Sequence, residues 1–227
     1  MVSLVKRILN VFAKHGLFDE GVALIGSWCF QLYQKHFQVE KFPLQTQDID
    51  FLIPNPFKGK DHKGFVVDLV KEGFTVDHYA DGSLYLWNAD LKIEFLTPEK
   101  GAGARGSLRI KQLALAATPL RLVNLLLDHP VKVKEGDIHV LVPHPANYCL
   151  HKLLIADRRK NPAKAEKDLQ QAVLTGVKVQ PQKLRSVYQS LPKTWQKDIL
   201  NAINKAKRRL PQLEEELQAL EVTLQIH

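Results

Sequence analysis

Two aspartates separated by one residue constrain this chain more than any other feature. Asp48 and Asp50 lie in an apolar segment that ends at Ile53. Alternate residues of a β-strand point to the same face, so a strand here places both carboxylates on one face and Ile49 and Phe51 on the other. Adjacent carboxylates repel each other unless a positive charge lies between them. A hard divalent cation, which takes oxygen ligands and also binds phosphate oxygens, is the natural occupant.

A glycine–serine pair precedes that strand. Gly26 and Ser27 follow a short strand predicted over residues 22–25 and lead into a helix predicted over residues 28–37. We expect Ser27 to cap this helix. Backbone N–H groups at the start of a helix, together with a serine hydroxyl, can bind phosphate oxygens. The pair and the two aspartates therefore suggest metal-assisted chemistry on a nucleotide.

A third carboxylate lies in a later strand. Residues 74–96 form three alternating segments between turn signals, which predicts a short antiparallel meander. In its last strand Glu94 points away from its apolar neighbours, and a carboxylate in a core strand needs a compensating charge or a metal. We therefore group Glu94 with Asp48 and Asp50. The alternative is an exposed pair between Glu94 and Lys92.

The chain changes character at Pro143. Before it the patterns predict an α/β (α+β) region that begins with an amphipathic helix over residues 3–14, and beyond it every segment has helical periodicity. We predict an α/β domain over residues 1–143 and a C-terminal helical domain over residues 144–227.

Three segments of the first half are predicted in less detail. Residues 61–73 are predicted as a helix that ends on glycine, and residues 120–127 fit either a helix or a strand. Residues 131–142 are predicted as a hairpin.

Charge points to a polyanionic partner. The chain of 227 residues has a formal net charge of +8, and its basic residues concentrate after position 100. Such a balance favours RNA or another polyanion. Residues 100–107 form a glycine-rich, basic loop, predicted to lie beside the site. Candidate contacts to a nucleic acid or a triphosphate are Arg105, Arg109, Arg158 and Arg159, although such charges are by default a solvated surface.

Cysteine usage and hydropathy indicate a cytoplasmic protein. Cys29 and Cys149 are too few for a disulfide framework and lie in apolar contexts, so we expect two buried free thiols in a reducing compartment. No apolar run approaches the length of a membrane span, and the first residues do not have the pattern of a signal peptide. The nine histidines have no metal-ligand spacing, which makes a zinc site an unsupported reading.

The combination of these motifs resembles the DNA polymerase β-like nucleotidyltransferase superfamily. Its signature is a Gly-Ser or Gly-Gly turn, an Asp-x-Asp strand and a later third carboxylate. The residues that carry the resemblance are Gly26-Ser27, Asp48-Ile49-Asp50 and Glu94. The resemblance implies a nucleotidyltransferase-type mixed sheet with flanking helices, followed by the helical region.

The nearest likeness is to a minimal prokaryotic branch that includes nucleotidyltransferase-like toxins of toxin–antitoxin systems. That branch often adds a helical lysine and a Lys-Asp pair, matched here by Lys152 and Lys167-Asp168. Two departures stand out. Many toxin relatives carry an arginine where this chain has Leu44, and many relatives have an aspartate where it has Glu94.

The resemblance implies a Mg²⁺-dependent enzyme that moves a nucleoside monophosphate from an NTP to a hydroxyl acceptor. Two Mg²⁺ ions would lie on Asp48, Asp50 and Glu94, with Glu94 also the candidate general base. The implied nucleotide-binding residues are Gly26, Ser27, Lys152 and Asp168. Lone helical charges such as Lys152 and Lys167-Asp168 are otherwise solvated surface groups.

The acceptor and the partners stay open. An RNA 3′ end is favoured by charge, and a protein side chain or a small molecule such as an aminoglycoside are the alternatives. A catalytically inactive nucleotide- or nucleic-acid-binding module and a toxin-like component controlled by a protein partner are the rival functions. The sequence does not determine the oligomeric state.

Overall fold

A computed structural model describes residues 3–41, 46–101 and 106–225. The chain divides into two compact units. One consists of Met1–Gln31 and Pro43–Pro143, and the other of Leu32–Phe42 and His144–His227. The second unit therefore includes a segment that the sequence placed in the first domain. That the chain folds as two independent domains stays a prediction.

A seven-stranded mixed sheet forms the centre of the first unit. Its strands are β1 (Ala23–Ile25), β2 (Asp48–Leu52), β3 (Thr75–His78), β4 (Leu84–Trp87), β5 (Lys92–Pro98), β6 (Leu108–Ile110) and β7 (Leu115–Leu120). The main order is β1-β2-β5-β4-β3, with β7 on β5 and β6 on β7. β5 runs parallel to β2 and β7, and every other pair in this sheet is antiparallel.

Helices cover the buried face of this sheet. The first unit holds α1 (Leu4–Lys14), the start of α2 (Gly26–His36), α3 (Phe65–Lys71) and a separate hairpin of β8 (Val131–Glu135) and β9 (Ile138–Val142). Ser3 caps α1 by accepting a hydrogen bond from the backbone N–H of Lys6 at 3.3 Å. Phe12 of α1 stacks on Phe51 of β2 with ring centroids 3.6 Å apart. This packing buries the side of β2 that faces away from its aspartates.

The second unit is helical. Its helices are α4 (Pro145–Ala156), α5 (Pro162–Gly176), α6 (Pro181–Ser190), α7 (Lys193–Arg209) and α8 (Glu214–Gln225). Proline at the first position of α4, α5 and α6 fits a site that has no backbone hydrogen bond to lose. All residues of α4 except Ile155 are buried, so α4 is the central helix of this unit. In the part of the chain that the structure describes, no helix is long and apolar enough to cross a membrane.

The predicted α/β class, the mixed sheet and the C-terminal helices are confirmed. Both cysteines are buried and neither forms a disulfide, as expected. The meander of β3, β4 and β5 and the hairpin of β8 and β9 are also confirmed.

Two predictions about the first unit are wrong in detail. The helix predicted over residues 61–73 is the shorter α3, because residues 61–64 form a turn in which Asp61 accepts from the backbone N–H of Lys63. Residues 120–127 are neither a regular strand nor an α-helix: β7 ends at Leu120 and a 3₁₀ helix spans Val123–Leu127.

Candidate active site

The parallel pairing of β2 with β5 brings the three predicted carboxylates onto one face of the sheet. Asp50 lies opposite Glu94 in the register, and Asp48 lies opposite Lys92. The residues between them along each strand are buried, so both strands alternate in the way that the sequence predicts. Folding has therefore placed Asp48, Asp50 and Glu94 together.

Gly26 lies directly against this set. Its φ of +68° is in the left-handed region that favours glycine, and a Cβ at this position would overlap Oδ2 of Asp50. The antiparallel register of β1 and β2 places Ile25 opposite Asp50, which explains the contact. The predicted cap at Ser27 is wrong: α2 begins at Gly26, so Ser27 is a buried residue of its first turn.

Lys92 holds two of the carboxylates together. Its Nζ lies 3.2 Å from Oδ1 of Asp48 and 3.1 Å from Oε1 of Glu94. Burial lowers the pKa of Lys92, but hydrogen bonds to Tyr79, Glu94 and Asp48, together with the charge of Glu94, outweigh it and raise that pKa above its usual range. Lys92 is therefore an ammonium at neutral pH. The Glu94–Lys92 pair, which the sequence left as an alternative, is present.

Tyr79 completes the network. Its hydroxyl donates a hydrogen bond to Oε1 of Glu94 and accepts one from Nζ of Lys92 at 3.0 Å. Burial, and next the hydrogen bond to Glu94, raise the pKa of Tyr79 to about 12, so the phenol keeps its proton. Sequence reasoning missed Tyr79, because its position opposite β5 depends on the register of three strands. Lys92 was named from the sequence as a pair for Glu94, and its contact with Asp48 follows from the register of β2 and β5.

The chemistry of this set fits a divalent cation. Three carboxylates are the oxygen donors that Mg²⁺ prefers. The ammonium of Lys92, in contact with both Asp48 and Glu94, shows that these two are spaced to share one cation. As placed in the described residues, however, no three His, Cys, Asp or Glu side chains converge as a metal site. A metal ion would therefore replace the Lys92 ammonium between these carboxylates.

Lys152 and Asp168 meet inside the second unit. Nζ of Lys152 lies 2.5 Å from Oδ1 of Asp168, and Nε of Arg159 lies 2.7 Å from Oδ2. Lys152 is 5% exposed and Asp168 is 3% exposed, so the expectation of solvated surface charges is wrong for both. Burial raises the pKa of Asp168, but the charges of Lys152 and Arg159 outweigh it and hold that pKa below its usual range. Asp168 is a carboxylate with two cationic partners.

His151 lies beside this ion pair and is also buried. Burial, and next the charge of Lys152, lower its pKa to about 3. His151 is therefore neutral in the folded protein at neutral pH.

The remaining basic candidates are dispersed. Arg109 is exposed on β6, where the registers of β5 with β7 and of β7 with β6 place it on the same face of the sheet as Glu94. Arg158, in the second unit, reaches Asp198 at 3.4 Å in an exposed pair. Arg105 and the departure at Leu44 lie outside the described residues.

Comparison with known proteins bears on the whole chain. A family model described as "Nucleotidyltransferase" matches residues 3–197. The structure is similar to that of an antigenic nucleotidyltransferase-like protein from Paracoccidioides brasiliensis, with a TM-score of 0.51, 11% identity, and coverage of 95% of this chain and 92% of the other. At that identity the likeness concerns the fold alone.

Two further solved structures align less closely. The antibiotic-resistance factor ANT(2'')-Ia gives a TM-score of 0.44 at 11% identity, covering 95% of this chain and 96% of its own. A tRNA nucleotidyltransferase complexed with a primer tRNA and an incoming ATP analog gives 0.25 at 18% identity, covering 86% and 58%. No curated protein matches this sequence.

Proposed function

This chain belongs to the nucleotidyltransferase family, and from that premise we propose that it transfers a nucleoside monophosphate from an NTP to a hydroxyl acceptor, at the site built by Gly26, Asp48, Asp50 and Glu94. One observation carries the proposal. Asp50 lies between the glycine turn and Glu94, in contact with the first and in register with the second.

The carboxylate set is the proposed metal site. Asp48, Asp50 and Glu94 would hold Mg²⁺ in place of the Lys92 ammonium. When bound, Mg²⁺ supplies positive charge that stabilises the attacking and leaving oxygens of an in-line displacement at phosphorus. The Gly26 turn begins α2, and the backbone N–H groups at the start of that helix support a triphosphate on that side of the set.

Glu94 is the proposed general base. It already accepts a hydrogen bond from the Tyr79 hydroxyl, so a hydroxyl that approaches from the solvent face can reach its carboxylate. Lys92 remains protonated beside it and would stabilise negative charge on phosphate oxygens after leaving the carboxylates.

Lys152 and Asp168 are a separate part of the proposal. The resemblance assigns them to nucleotide binding, whereas their burial and mutual contact support a role in stabilising the second unit. Cytoplasmic location and control by a protein partner, as in toxin–antitoxin pairs, stay predictions from the sequence.

Labelled-NTP transfer tests the proposal directly. Full-length protein is incubated with Mg²⁺, each labelled NTP, and separate pools of RNA, protein and small hydroxyl compounds. We expect label on one pool with the wild type, and a loss of about 100-fold or more for Asp50→Asn, by analogy with removal of one transition-state contact. Asp137→Asn, an exposed aspartate in the turn of the β8–β9 hairpin, is the matched control. Equal transfer by Asp50→Asn and Asp137→Asn would sink the site assignment.

Binding of NTP without transfer is a second candidate function. The contact of Lys92 with Asp48 and Glu94 favours it, because a permanent ammonium there would replace a metal ion. Equilibrium binding of a labelled NTP separates the two candidates. If NTP binding needs Asp50 but not Mg²⁺, and no pool is labelled, the chain is a nucleotide-binding module without transferase activity.

A further inference from the structure

The face that carries the carboxylates continues into an aromatic surface. In the register of β4 and β5, Tyr85 lies opposite Glu94 and Trp87 lies opposite Lys92. Tyr79 follows β3 and packs against Tyr85, with ring centroids 4.4 Å apart and planes tilted by 31°. Tyr79, Tyr85 and Trp87 therefore share one face of the sheet with the candidate active site, and we call these three residues the aromatic platform.

Two rings of the aromatic platform are open to solvent. Trp87 is 45% exposed and Tyr79 is 37% exposed. The opposite face of β4, formed by Leu84 and Leu86, is buried and supplies its share of the core. Core packing therefore does not explain the rings of the platform. Exposed aromatic rings beside a reaction centre are typical of ligand sites.

The order of the strands indicates what this ligand is. The glycine turn follows β1, the carboxylates lie on β2 and β5, and the platform lies on and beside β4 and β3. In an in-line displacement the entering oxygen approaches phosphorus opposite the leaving group. With the phosphates on the Gly26 side, the acceptor approaches from the platform side. Neighbouring strands are about 4.8 Å apart, so Trp87 on β4 lies directly beside β5, the strand that carries Glu94.

The charge of this face opposes a polyanion. Asp77 on the exposed strand β3 is a fourth carboxylate, outside the proposed metal set and opposite Tyr85 in the register. The backbone N–H of His78 at 2.7 Å and then the Tyr85 hydroxyl at 3.0 Å hold the pKa of Asp77 below its usual range. Among the described residues of this face, the strands carry four carboxylates and two cationic side chains, which are Lys92 between the carboxylates and Arg109 on the outer strand β6. The net charge of +8 for the whole chain therefore does not describe its candidate acceptor side.

We infer that the aromatic platform and Asp77 bind the acceptor, and that this acceptor is a hydroxyl-bearing ring compound with positively charged amino groups, of the amino-sugar class. The inference rests on the proposed function and deepens it. The ring would pack on Trp87, and its ammonium groups would bind Asp77 and the faces of the aromatic rings. Nζ of Lys92, 5.7 Å from the centroid of Tyr79, already has that cation–π geometry.

The transfer step balances with residues in place. The acceptor oxygen forms a bond to the α-phosphorus, and the bond from that phosphorus to the bridging oxygen of pyrophosphate breaks. The hydroxyl proton passes to Glu94, which now accepts the hydrogen bond of the Tyr79 hydroxyl. An acceptor hydroxyl would take the place of the Tyr79 hydroxyl on this carboxylate.

Calorimetric titration with kanamycin, a compound of amino-sugar rings, tests the inference. The full-length protein is titrated in Mg²⁺ with a non-hydrolysable ATP analogue present. We expect the wild type to bind kanamycin. The affinity should fall by about fivefold or more in Trp87→Thr, which loses the stacking ring, and in Asp77→Asn, which loses the carboxylate that binds an ammonium group. Val70→Thr, at an exposed apolar residue of α3 with 44% exposure, is the matched control and should bind as the wild type does.

Separate titrations with the ATP analogue and with a single-stranded oligoadenylate complete the design. Equal kanamycin affinity in Trp87→Thr and the wild type, or no binding at all, would overturn the inference. Oligoadenylate binding that Trp87→Thr abolishes would overturn the amino-sugar class. Weaker analogue binding in Trp87→Thr would place the nucleobase, and not the acceptor, on the platform. None of these titrations needs turnover, so kanamycin binding without label transfer would support the platform and count against the proposed reaction.

Discussion

Replacing Asp168 with asparagine would leave the ammonium of Lys152 buried without a full compensating charge. Lys152 is 5% exposed, and its Nζ lies 2.5 Å from the Asp168 carboxylate. Removal of one partner from a buried ion pair costs about 3–5 kcal/mol, most of it the desolvation of the charge left behind. The Arg159 side chain is 42% exposed and can regain water, so Lys152 accounts for most of the loss.

The pH dependence follows from the direction of the pKa shift. The folded-state pKa of Asp168 lies below its unfolded value, so the carboxylate stabilises the fold fully above that unfolded value of about 3.9. The contribution is lost as pH falls through the lower, folded-state pKa. The difference between wild type and Asp168→Asn should therefore be constant from pH 5 to pH 8 and shrink below about pH 4.

Urea unfolding followed by circular dichroism measures this difference. For a chain of this length, about 3–5 kcal/mol corresponds to a fall in Tm of roughly 6–20 °C. Asp198→Asn is the matched control, because Asp198 is 47% exposed and pairs with Arg158 at 3.4 Å; an exposed pair of this kind is worth less than about 1 kcal/mol. Lys152→Met combined with Asp168→Asn should recover part of the stability, since no buried charge then lacks a partner.

Two results would refute the reasoning. If Asp168→Asn and Asp198→Asn lose the same stability within about 1 kcal/mol, the buried pair is not a structural element. If Asp168→Asn keeps its stability but loses NTP binding, the assignment of this residue to nucleotide binding is the correct one.

Two further predictions concern single residues. Gly26→Ala should lower the free energy of unfolding by about 1–2 kcal/mol because of the positive φ at this position, as measured by urea unfolding. It should lower label transfer by about 100-fold, because the added methyl group displaces the Asp50 carboxylate. Transfer at the wild-type rate would contradict this prediction. The pKa of His151 is about 3 in the folded protein and about 6.5 in the unfolded chain. Below pH 6.5 the unfolded chain therefore binds one proton more than the folded protein does. The free energy of unfolding of the wild type should fall by about 1.4 kcal/mol per pH unit in that range. His151→Leu should flatten that slope between pH 7 and pH 5, and an unchanged slope would show that another group causes it.

The candidate site was predictable from the sequence to the extent that it depends on local periodicity. Asp48 and Asp50 point to one face because a strand alternates, and the same rule turns Glu94 away from the core. The turn at Gly26 was predictable because a short apolar segment changes there to helical spacing. The family signature groups the three carboxylates, which β2 and β5 place on one face of the sheet.

The rest of the site depends on pairings between distant segments. The register of β2 with β5 decides that Lys92 meets Asp48, and the register of β3, β4 and β5 decides that the Tyr79 hydroxyl meets Glu94. A shift of one residue in either pairing would turn these side chains to the other face, and no local pattern specifies it. The same limit explains why β6 and β7 were missed.

The sequence by itself determined the types of element, the α/β class and the three carboxylates, because hydrophobic period and turn chemistry act over a few neighbouring residues. Only the tertiary structure decided that Lys152 and Asp168 are buried partners, since burial depends on what packs around a helix and not on its own spacing. It also decided that a basic chain has an acidic and aromatic surface beside its candidate site, because net charge is a sum over the chain and says nothing of where the charges lie.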